Sequence, residues 1–127
     1  MILPILLLSI WTPATQCEAI DGDTLRCGEI GRVRLLGIDA PELPGHCRRV
    51  RVCAPGDPHK SKARLAKLIR GGVTIAPVTR DRYGRTVAQA YSGDRNVACE
   101  QLRAGQAIYV KRWDNGRRLA RECGAAN

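Results

Sequence analysis

The sequence is poor in acidic residues, and this scarcity narrows the class of partner that the protein can bind. Its 127 residues include 12 Asp and Glu against 21 Lys and Arg, for a formal net charge of +9. Neutralised phosphates supply most of the non-specific affinity of proteins for nucleic acids, so the balance favours a polyanionic partner. The alternative is that the basic residues serve solubility alone. The length is that of one domain and suffices to bury a core.

No two cysteines stand in a Cys-x-x-Cys pair, which argues against a zinc site. The six cysteines lie at positions 17, 27, 47, 53, 99 and 123. So many thiols in a small chain indicate disulfides and an exported protein, although spacing alone leaves their connectivity open. A hairpin folded about Gly22 would place Cys17 opposite Cys27. Cys47 and Cys53 bracket a short arginine-rich loop, which leaves Cys99 for Cys123.

No apolar run is long enough to span a bilayer as a helix, which needs about 20 residues. Residues 2–10 are nearly all apolar and precede the small residues Thr12 and Ala14, a pattern typical of a signal-peptide core, although no Lys or Arg comes before it. We therefore expect a leader over residues 1–14 and a domain over residues 15–127. The expected location is periplasmic or secreted, without stable membrane association after cleavage. The alternative is an internal strand or an uncleaved anchor.

Turn and cap residues divide the rest of the chain into short elements. Strands are predicted over residues 17–20, 24–27, 32–39, 73–79, 86–91 and 108–110, the third of them interrupted by Gly37. Helices are predicted over residues 58–69, 97–103 and 114–123, the first two capped by Asp57 and Asn96. This order predicts an α+β, mainly β fold, a five-stranded oligonucleotide-binding barrel with two to three packed helices.

Carboxylates stand at the ends of two predicted strands. Asp23 follows the first hairpin turn, Asp39 ends the third strand, and Glu42 stands just past Pro41. Asp23 and Asp39 could face each other across neighbouring strands and share a cation, and oxygen ligands suit a hard ion such as calcium. The alternative is that aspartates near turns only form the turns, which is the interpretation favoured for Asp21.

Two arginines accompany these acids. Arg34 lies on the third strand, and Arg85 lies in a basic turn before a later strand. Phosphodiester hydrolysis requires a cation on a phosphate oxygen, guanidiniums on the other oxygens and a carboxylate that orients water. The combination therefore predicts a metal site that handles phosphate.

Three ordered motifs resemble the staphylococcal nuclease, or thermonuclease, family. They are Ile-Asp-Gly-Asp-Thr at residues 20–24, Arg-Leu-Leu-Gly-Ile-Asp-Ala-Pro-Glu at residues 34–42 and Asp-Arg-Tyr-Gly-Arg at residues 81–85. Leu-Arg-Ala-Gly-Gln-Ala at residues 102–107 extends the likeness to roughly residues 18–112. The cysteines resemble those of secreted, cysteine-bearing relatives. The resemblance implies the oligonucleotide-binding barrel and calcium-dependent cleavage of both DNA and RNA.

The resemblance also implies roles for individual residues in binding the metal and activating water. Asp23 and Asp39 would be the calcium carboxylates, with the carbonyl of Ala40 as a backbone ligand. Ala40 stands where the family often has threonine, so a hydroxyl beside the metal is missing. Glu42 would orient or deprotonate the attacking water.

Phosphate contacts follow from the same resemblance. Arg34 and Arg85 would bind the scissile phosphate, and Arg82 and Tyr83 would contact a terminal phosphate of the nucleotide. The aromatic residue that stacks on the base has no counterpart, because Lys111 falls near its place. Tyr109 and Trp113 are the available substitutes, although each is more often a core or rim residue.

The sequence is compatible with three functions. The leading expectation is an exported, monomeric, calcium-dependent nuclease acting on DNA and RNA. The alternative is a catalytically inactive module that keeps the fold and binds nucleic acid. A weaker alternative, a cationic protein that acts on anionic polymers by charge alone, leaves the ordered motifs unexplained.

Overall fold

The structure is a computed structural model of the chain, and it describes residues 14–48 and 51–124. Its strands are β1 Cys17–Ala19, β2 Thr24–Cys27, β3 Gly31–Leu35, β4 Ile38–Asp39, β5 Thr74–Arg80, β6 Thr86–Ser92, β7 Arg95–Asn96 and β8 Ile108–Tyr109. Its α-helices are α1 Pro58–Leu68, α2 Val97–Arg103 and α3 Arg118–Cys123, with short 3₁₀ turns at Gly28–Ile30, Lys111–Trp113 and Asn115–Arg117.

Five of the strands form a curled sheet whose two edges meet. Its order is β1-β2-β3-β6-β5, in which β3 and β6 run parallel and the other pairs are antiparallel. A bridge between Thr15 and Val73 joins the edges through two N–H···O bonds of 2.7 and 2.9 Å. The short β7 pairs antiparallel with the end of β6, and β4 pairs with β8. The predicted α+β fold, an oligonucleotide-binding-type barrel with packed helices, is confirmed.

Alternate residues of the strands fill the barrel. Leu25 pairs with Val33 across β2 and β3, and Leu35 pairs with Ala88 across β3 and β6. All four side chains are buried. Burial of apolar surface at roughly 25 cal/mol per Å² stabilises this arrangement, and the period of two along each strand puts the intervening residues on the outside.

The first two helices begin at their predicted caps. The side chain of Asp57 accepts hydrogen bonds from the backbone N–H groups of the first turn of α1, and Asn96 does the same for α2. Each cap satisfies donors that a helix start leaves unpaired. Helix α1 then buries Leu65 against the barrel, and Ile69 just beyond its end is buried as well, as the helical spacing predicts.

All three predicted disulfides are present. Cys17 bonds to Cys27, its register partner across β1 and β2. Cys47 bonds to Cys53, and Cys99 bonds to Cys123, which ties α2 to α3. The pairs suggested by the hairpin about Gly22, the short loop and the two remaining cysteines are thus the pairs that the structure contains.

The prediction of one strand over residues 32–39 is wrong. Strand β3 ends at Leu35, and Ile38–Asp39 forms the separate strand β4 against β8. Gly37 lies between them with φ of 78°, a left-handed conformation in which glycine is favoured. The chain turns there, so Asp39 leaves the barrel sheet and enters a second pairing.

The prediction of a continuous helix over residues 114–123 is also wrong. Gly116 and Arg117 have positive φ angles of 67° and 62°, so regular helix begins only at Arg118. Asp114 is buried, and its carboxylate accepts hydrogen bonds from the N–H groups of Leu119 and Ala120 at 2.8 and 3.0 Å. It therefore caps α3 from a distance instead of standing in the helix.

The predicted leader lies almost entirely on residues 1–13, outside the described ranges, and it stays a prediction. Between residues 14 and 124, apart from residues 49 and 50, no helix is long and apolar enough to cross a membrane.

Candidate active site

The acidic turn between β1 and β2 is packed tightly against three other parts of the chain. A Cβ on Gly22 would lie 2.7 Å from the Cβ of Ala40 and would overlap the side chain of Ser61 on α1. Gln101 of α2 is fully buried, and its Nε2 donates to the carbonyls of Gly22 and Ser61 at 2.9 and 3.0 Å. Only glycine fits at the centre of this turn, which is consequently held in one position.

Asp23 and Asp39 meet at Arg34. The Nη1 atom of Arg34 lies 3.3 Å from Oδ2 of Asp23, and its Nη2 atom lies 3.6 Å from Oδ1 of Asp39. Nη1 also donates to the carbonyl of Ile38 at 2.9 Å. Both aspartates are buried. They do not face each other across neighbouring strands as the sequence suggested, because β4 pairs with β8; the arginine of β3 brings them together.

Ala40 lies directly behind this group. Its backbone N–H donates to Oδ2 of Asp23 at 2.8 Å, and its side chain is buried. The second oxygen of Asp23 accepts from the hydroxyl of Thr24 at 2.8 Å. These bonds hold the carboxylate of Asp23 at a fixed angle. The role of the Ala40 carbonyl as a metal ligand stays a prediction.

Arg51 is a site residue that the sequence did not reveal. Its Nη2 atom lies 2.7 Å from Oδ1 of Asp39, and its Nη1 atom lies 3.1 Å from Oε1 of Glu42. Although burial lowers the pKa of Arg51, the hydrogen bond and charge of Asp39 outweigh it and raise that pKa above its ordinary value. The residue belongs to the loop closed by Cys47 and Cys53. Only its position inside an arginine-rich disulfide loop hinted at such a role.

The carboxylates of this group repel one another. Burial, followed by the charge of Asp23, raises the pKa of Asp21 from 3.8 to about 7. Burial and then Asp23 also raise the pKa of Glu42, while Arg51 partly offsets this. Asp21 forms the turn as predicted, because its Oδ1 accepts from the N–H of Asp23 at 3.0 Å. In addition, it adds a fourth acid to the cluster.

The turn between β5 and β6 presents the second basic group. Asp81 accepts from Nε and from the backbone N–H of Arg85 at 2.6 and 3.0 Å. Burial alone would raise the pKa of Asp81, but the bonds from Arg85 lower it. Tyr83 is exposed, and its hydroxyl oxygen accepts from Nη2 of Arg82 at 3.0 Å. The turn thus fixes Arg85 by an ion pair and surrounds Tyr83 with positive charge.

One cavity of about 480 Å³ joins the two groups. Its walls include Asp21, Asp23, Arg34, Glu42 and Arg51 from the carboxylate side, and Arg80, Asp81, Arg82, Tyr83 and Arg85 from the turn. Asp39 and Ala40 are buried and are not among its lining residues. The structure therefore gathers the predicted water-activating, phosphate-binding and terminal-phosphate residues around one space.

Residues 32–126 match the family model described as "Staphylococcal nuclease homologue". The chain belongs to the staphylococcal nuclease family. The resemblance drawn from the motifs is thereby confirmed, and the matched range contains Arg34, Asp39, Glu42 and Arg85. Asp23 lies just before it, so the assignment of Asp23 depends on the geometry at Arg34.

Curated relatives from bacteria and fungi support the family assignment. A protein of Haemophilus influenzae named "Uncharacterized endonuclease" is 34% identical over 100 residues, which cover 75% of this chain and 51% of that protein. One of the same name from Escherichia coli is 32% identical over 102 residues, or 76% of this chain and 60% of that protein. "Probable endonuclease LCL3" of Paracoccidioides lutzii is 36% identical over 85 residues, or 59% and 23%. The chain spans about half the length of the bacterial relatives.

The two substitutes for the family's stacking aromatic have other contacts here. The hydroxyl of Tyr109 donates to Oδ2 of Asp114 at 2.6 Å, which anchors the C-terminal segment. The ring centroid of Trp113 lies 5.4 Å from the Cζ atoms of both Arg34 and Arg51. Trp113 therefore backs the guanidiniums of the carboxylate group, an interaction of about 0.5–1 kcal/mol where solvent has access.

The carboxylates of the site are the candidate ligands for the calcium ion that the staphylococcal nuclease family implies. In the described ranges, no group of three or more His, Cys, Asp or Glu side chains is arranged to hold a metal ion. The carboxylate oxygens of the site are nevertheless suitable ligands for calcium, which binds through oxygen atoms. The site contains two guanidiniums and four carboxylates, those of Arg34, Arg51, Asp21, Asp23, Asp39 and Glu42. When all six are ionised, their net charge is −2, which one divalent cation would balance.

Proposed function

We propose that this protein is a calcium-dependent nuclease that hydrolyses phosphodiester bonds of DNA and RNA outside the cytoplasm. The observation that carries the proposal is the single cavity lined by Asp23, Arg34, Glu42 and Arg85. Membership of the staphylococcal nuclease family and the endonuclease names of the relatives support the reaction class. The six paired cysteines support an oxidising compartment.

Arg34 and Arg85 would bind the scissile phosphate from two sides. Arg34 is held by Asp23 and by the Ile38 carbonyl, and Arg85 is held by Asp81, so both guanidiniums are oriented before substrate enters. Donors fixed in advance stabilise the extra negative charge of the five-coordinate transition state without reorganising during the reaction. Arginine suits this role because its planar guanidinium can make two parallel bonds to phosphate.

Glu42 would orient the attacking water and accept its proton. Burial raises the pKa of Glu42, which brings the carboxyl closer to the pH at which a general base is most effective. Asp23, Asp39 and the carbonyl of Ala40 would hold the calcium ion, which when bound neutralises charge on a phosphate oxygen. Neither role requires a residue from outside the described ranges.

Arg82 and Tyr83, which line the same cavity, would contact a terminal phosphate. Tyr83 is 55% exposed, and the Cζ atoms of Arg48 and Arg82 lie 5.5 and 5.1 Å from its ring centroid. Hydrogen bonding from Arg82 and the nearby positive charges lower the pKa of the Tyr83 hydroxyl. A phosphate monoester carries more negative charge than a diester, so such a basic pocket favours a chain end.

Digestion of plasmid DNA and of RNA tests the proposal. Purified protein with calcium should cleave both substrates, and excess chelator should abolish cleavage. Glu42→Gln and Arg34→Ala should each lower turnover by about 10²-fold or more, while Arg26→Gln, which removes an exposed arginine paired with Glu18, should not. Salt-sensitive binding of nucleic acid by the wild type without any cleavage would reject the enzyme and support the inactive binding module.

Export and oligomeric state are tested separately. Mass mapping and N-terminal sequencing of the protein recovered from the periplasm or medium should give a mature chain that begins near Thr15, without membrane association. Light scattering should give the mass of a monomer. A chain found only in the reducing cytoplasm, with an intact residue 1–14 segment, would contradict the proposed location.

A further inference from the structure

We propose that Arg51 is a tethered counter-ion of the metal carboxylates, and that it competes with the divalent cation in the protein free of nucleic acid. This inference rests on the proposed calcium-dependent function and names a residue that sets the metal affinity of that same site. Arg51 occupies the oxygens that a cation would need, and the disulfide loop keeps it close to them.

The contacts of Arg51 are directed at two acids of the site. Its guanidinium lies 2.7 Å from Oδ1 of Asp39 and 3.1 Å from Oε1 of Glu42. Asp39 Oδ1 also lies 3.6 Å from Nη2 of Arg34, so this oxygen is shared by two positive groups. A calcium ion binds through carboxylate oxygens. It must therefore share or replace these bonds, at least at Asp39.

The surroundings of Arg51 hold it near the acids and also leave it a route away. Trp113 backs its guanidinium, with Cζ 5.4 Å from the ring centroid. The bond between Cys47 and Cys53 closes the loop that carries it. About a third of its side chain, 36%, is nevertheless accessible to solvent, whereas only 12% of the Arg34 side chain is. Arg51 can thus move into water when a cation enters, while Arg34 stays in place.

The charges of the site also indicate that Arg51 weakens calcium binding. In the described ranges, the ion pairs of Asp23, Asp39 and Glu42 are made with Arg34 and Arg51. Removing the guanidinium of Arg51 frees Oε1 of Glu42, leaves Oδ1 of Asp39 to Arg34 alone, and makes the site more negative by one charge. Both effects strengthen the attraction for a divalent cation. A competing guanidinium has the opposite effect and weakens calcium binding in the resting protein.

Isothermal titration of the oxidised protein with calcium, in the absence of nucleic acid, tests the proposal. Arg51→Gln should bind calcium at least about fivefold more tightly than the wild type, which corresponds to about 1 kcal/mol. Arg51→Lys keeps the positive charge and should lie close to the wild type. The matched control Arg26→Gln makes the same change in net charge at an exposed pair with Glu18, and it should shift the dissociation constant less than twofold.

The outcomes separate this proposal from the proposed function. If Arg51→Gln binds calcium as weakly as the wild type, or more weakly, while the wild type cleaves DNA with calcium, Arg51 is not a competitor and the nuclease proposal stands. If neither protein binds calcium and the wild type does not cleave, both proposals fail. Melting curves in chelator, expected within a few degrees for all variants, show that the differences do not come from misfolding.

Discussion

The substitution Asp21→Asn should raise the free energy of unfolding of the metal-free protein, and the size of this increase should depend on pH. The carboxylate of Asp21 accepts a hydrogen bond from the N–H of Asp23, and the amide oxygen of an asparagine can accept the same bond. The substitution Asp21→Asn therefore keeps the turn and removes only the charge. Burial and the neighbouring Asp23 make this charge costly, because they raise the pKa of Asp21 from 3.8 to about 7.

The direction of the pH effect follows from proton binding. Between about pH 4 and pH 7 the folded chain keeps a proton on Asp21 that the unfolded chain has lost, so the wild type loses stability as the pH rises through this window. A pKa difference of about 3 corresponds to about 4 kcal/mol. Solvent reaches part of the carboxyl group, and we therefore expect about half, or about 2 kcal/mol, at pH 7.5.

Urea unfolding from pH 4 to pH 8, with chelator and intact disulfides, measures the effect. The advantage of Asp21→Asn over the wild type should be near zero at pH 4 and should grow to about 2 kcal/mol by pH 7.5. The exposed Asp94 in the turn between β6 and β7 provides the control Asp94→Asn. Parallel stability curves for the wild type and Asp21→Asn across this range would refute the argument that the acidic turn is strained by its own charge.

Two further substitutions test the packing around the site and the anchor of the last helix. Gly22→Ala should lower the free energy of unfolding by about 2–3 kcal/mol, because the new Cβ overlaps the side chain of Ser61; an unchanged urea midpoint would show that the turn is not tightly packed. Glu122→Gln should lower the pKa of Tyr91 from about 12, where burial and the Glu122 carboxylate hold it, towards its ordinary value. Ultraviolet titration of the tyrosines measures this, and an unchanged curve would contradict the bond between the two side chains.

Local signals predicted most of the fold correctly because they act over short distances. Asp57 and Asn96 are caps whose side chains reach only the next turn of backbone, so composition and position suffice to find them. The pairing of Cys17 with Cys27 follows from the symmetry of a hairpin about Gly22. Such features depend on neighbours in sequence and need no knowledge of the remaining chain.

The wrong predictions arose where distant segments decide the local conformation. Residues 32–39 have the apolar pattern of a single strand, but Gly37 adopts a positive φ and packs so closely that a Cβ there would lie 2.9 Å from Cδ2 of Leu119. Asp114 is a residue type that often begins a helix. Here its carboxylate instead accepts hydrogen bonds from N–H groups five and six residues later. The sequence did not identify the partners of Arg51, since Asp39 and Glu42 lie 12 and 9 residues away.

Motif order, periodicity and turn chemistry are properties of neighbouring residues, so they sufficed to predict the family, the barrel and the set of acids and arginines from which the candidate site is built, and to suggest the disulfide pairs. How those side chains pair depends on contacts between distant segments. The structure shows that Arg34 joins Asp23 to Asp39, that Asp21 is a half-buried member of the cluster, and that Arg51 pairs with Asp39 and Glu42. The physical reason is that charge, burial and hydrogen bonding between side chains depend on distances in space, which the closed barrel sets.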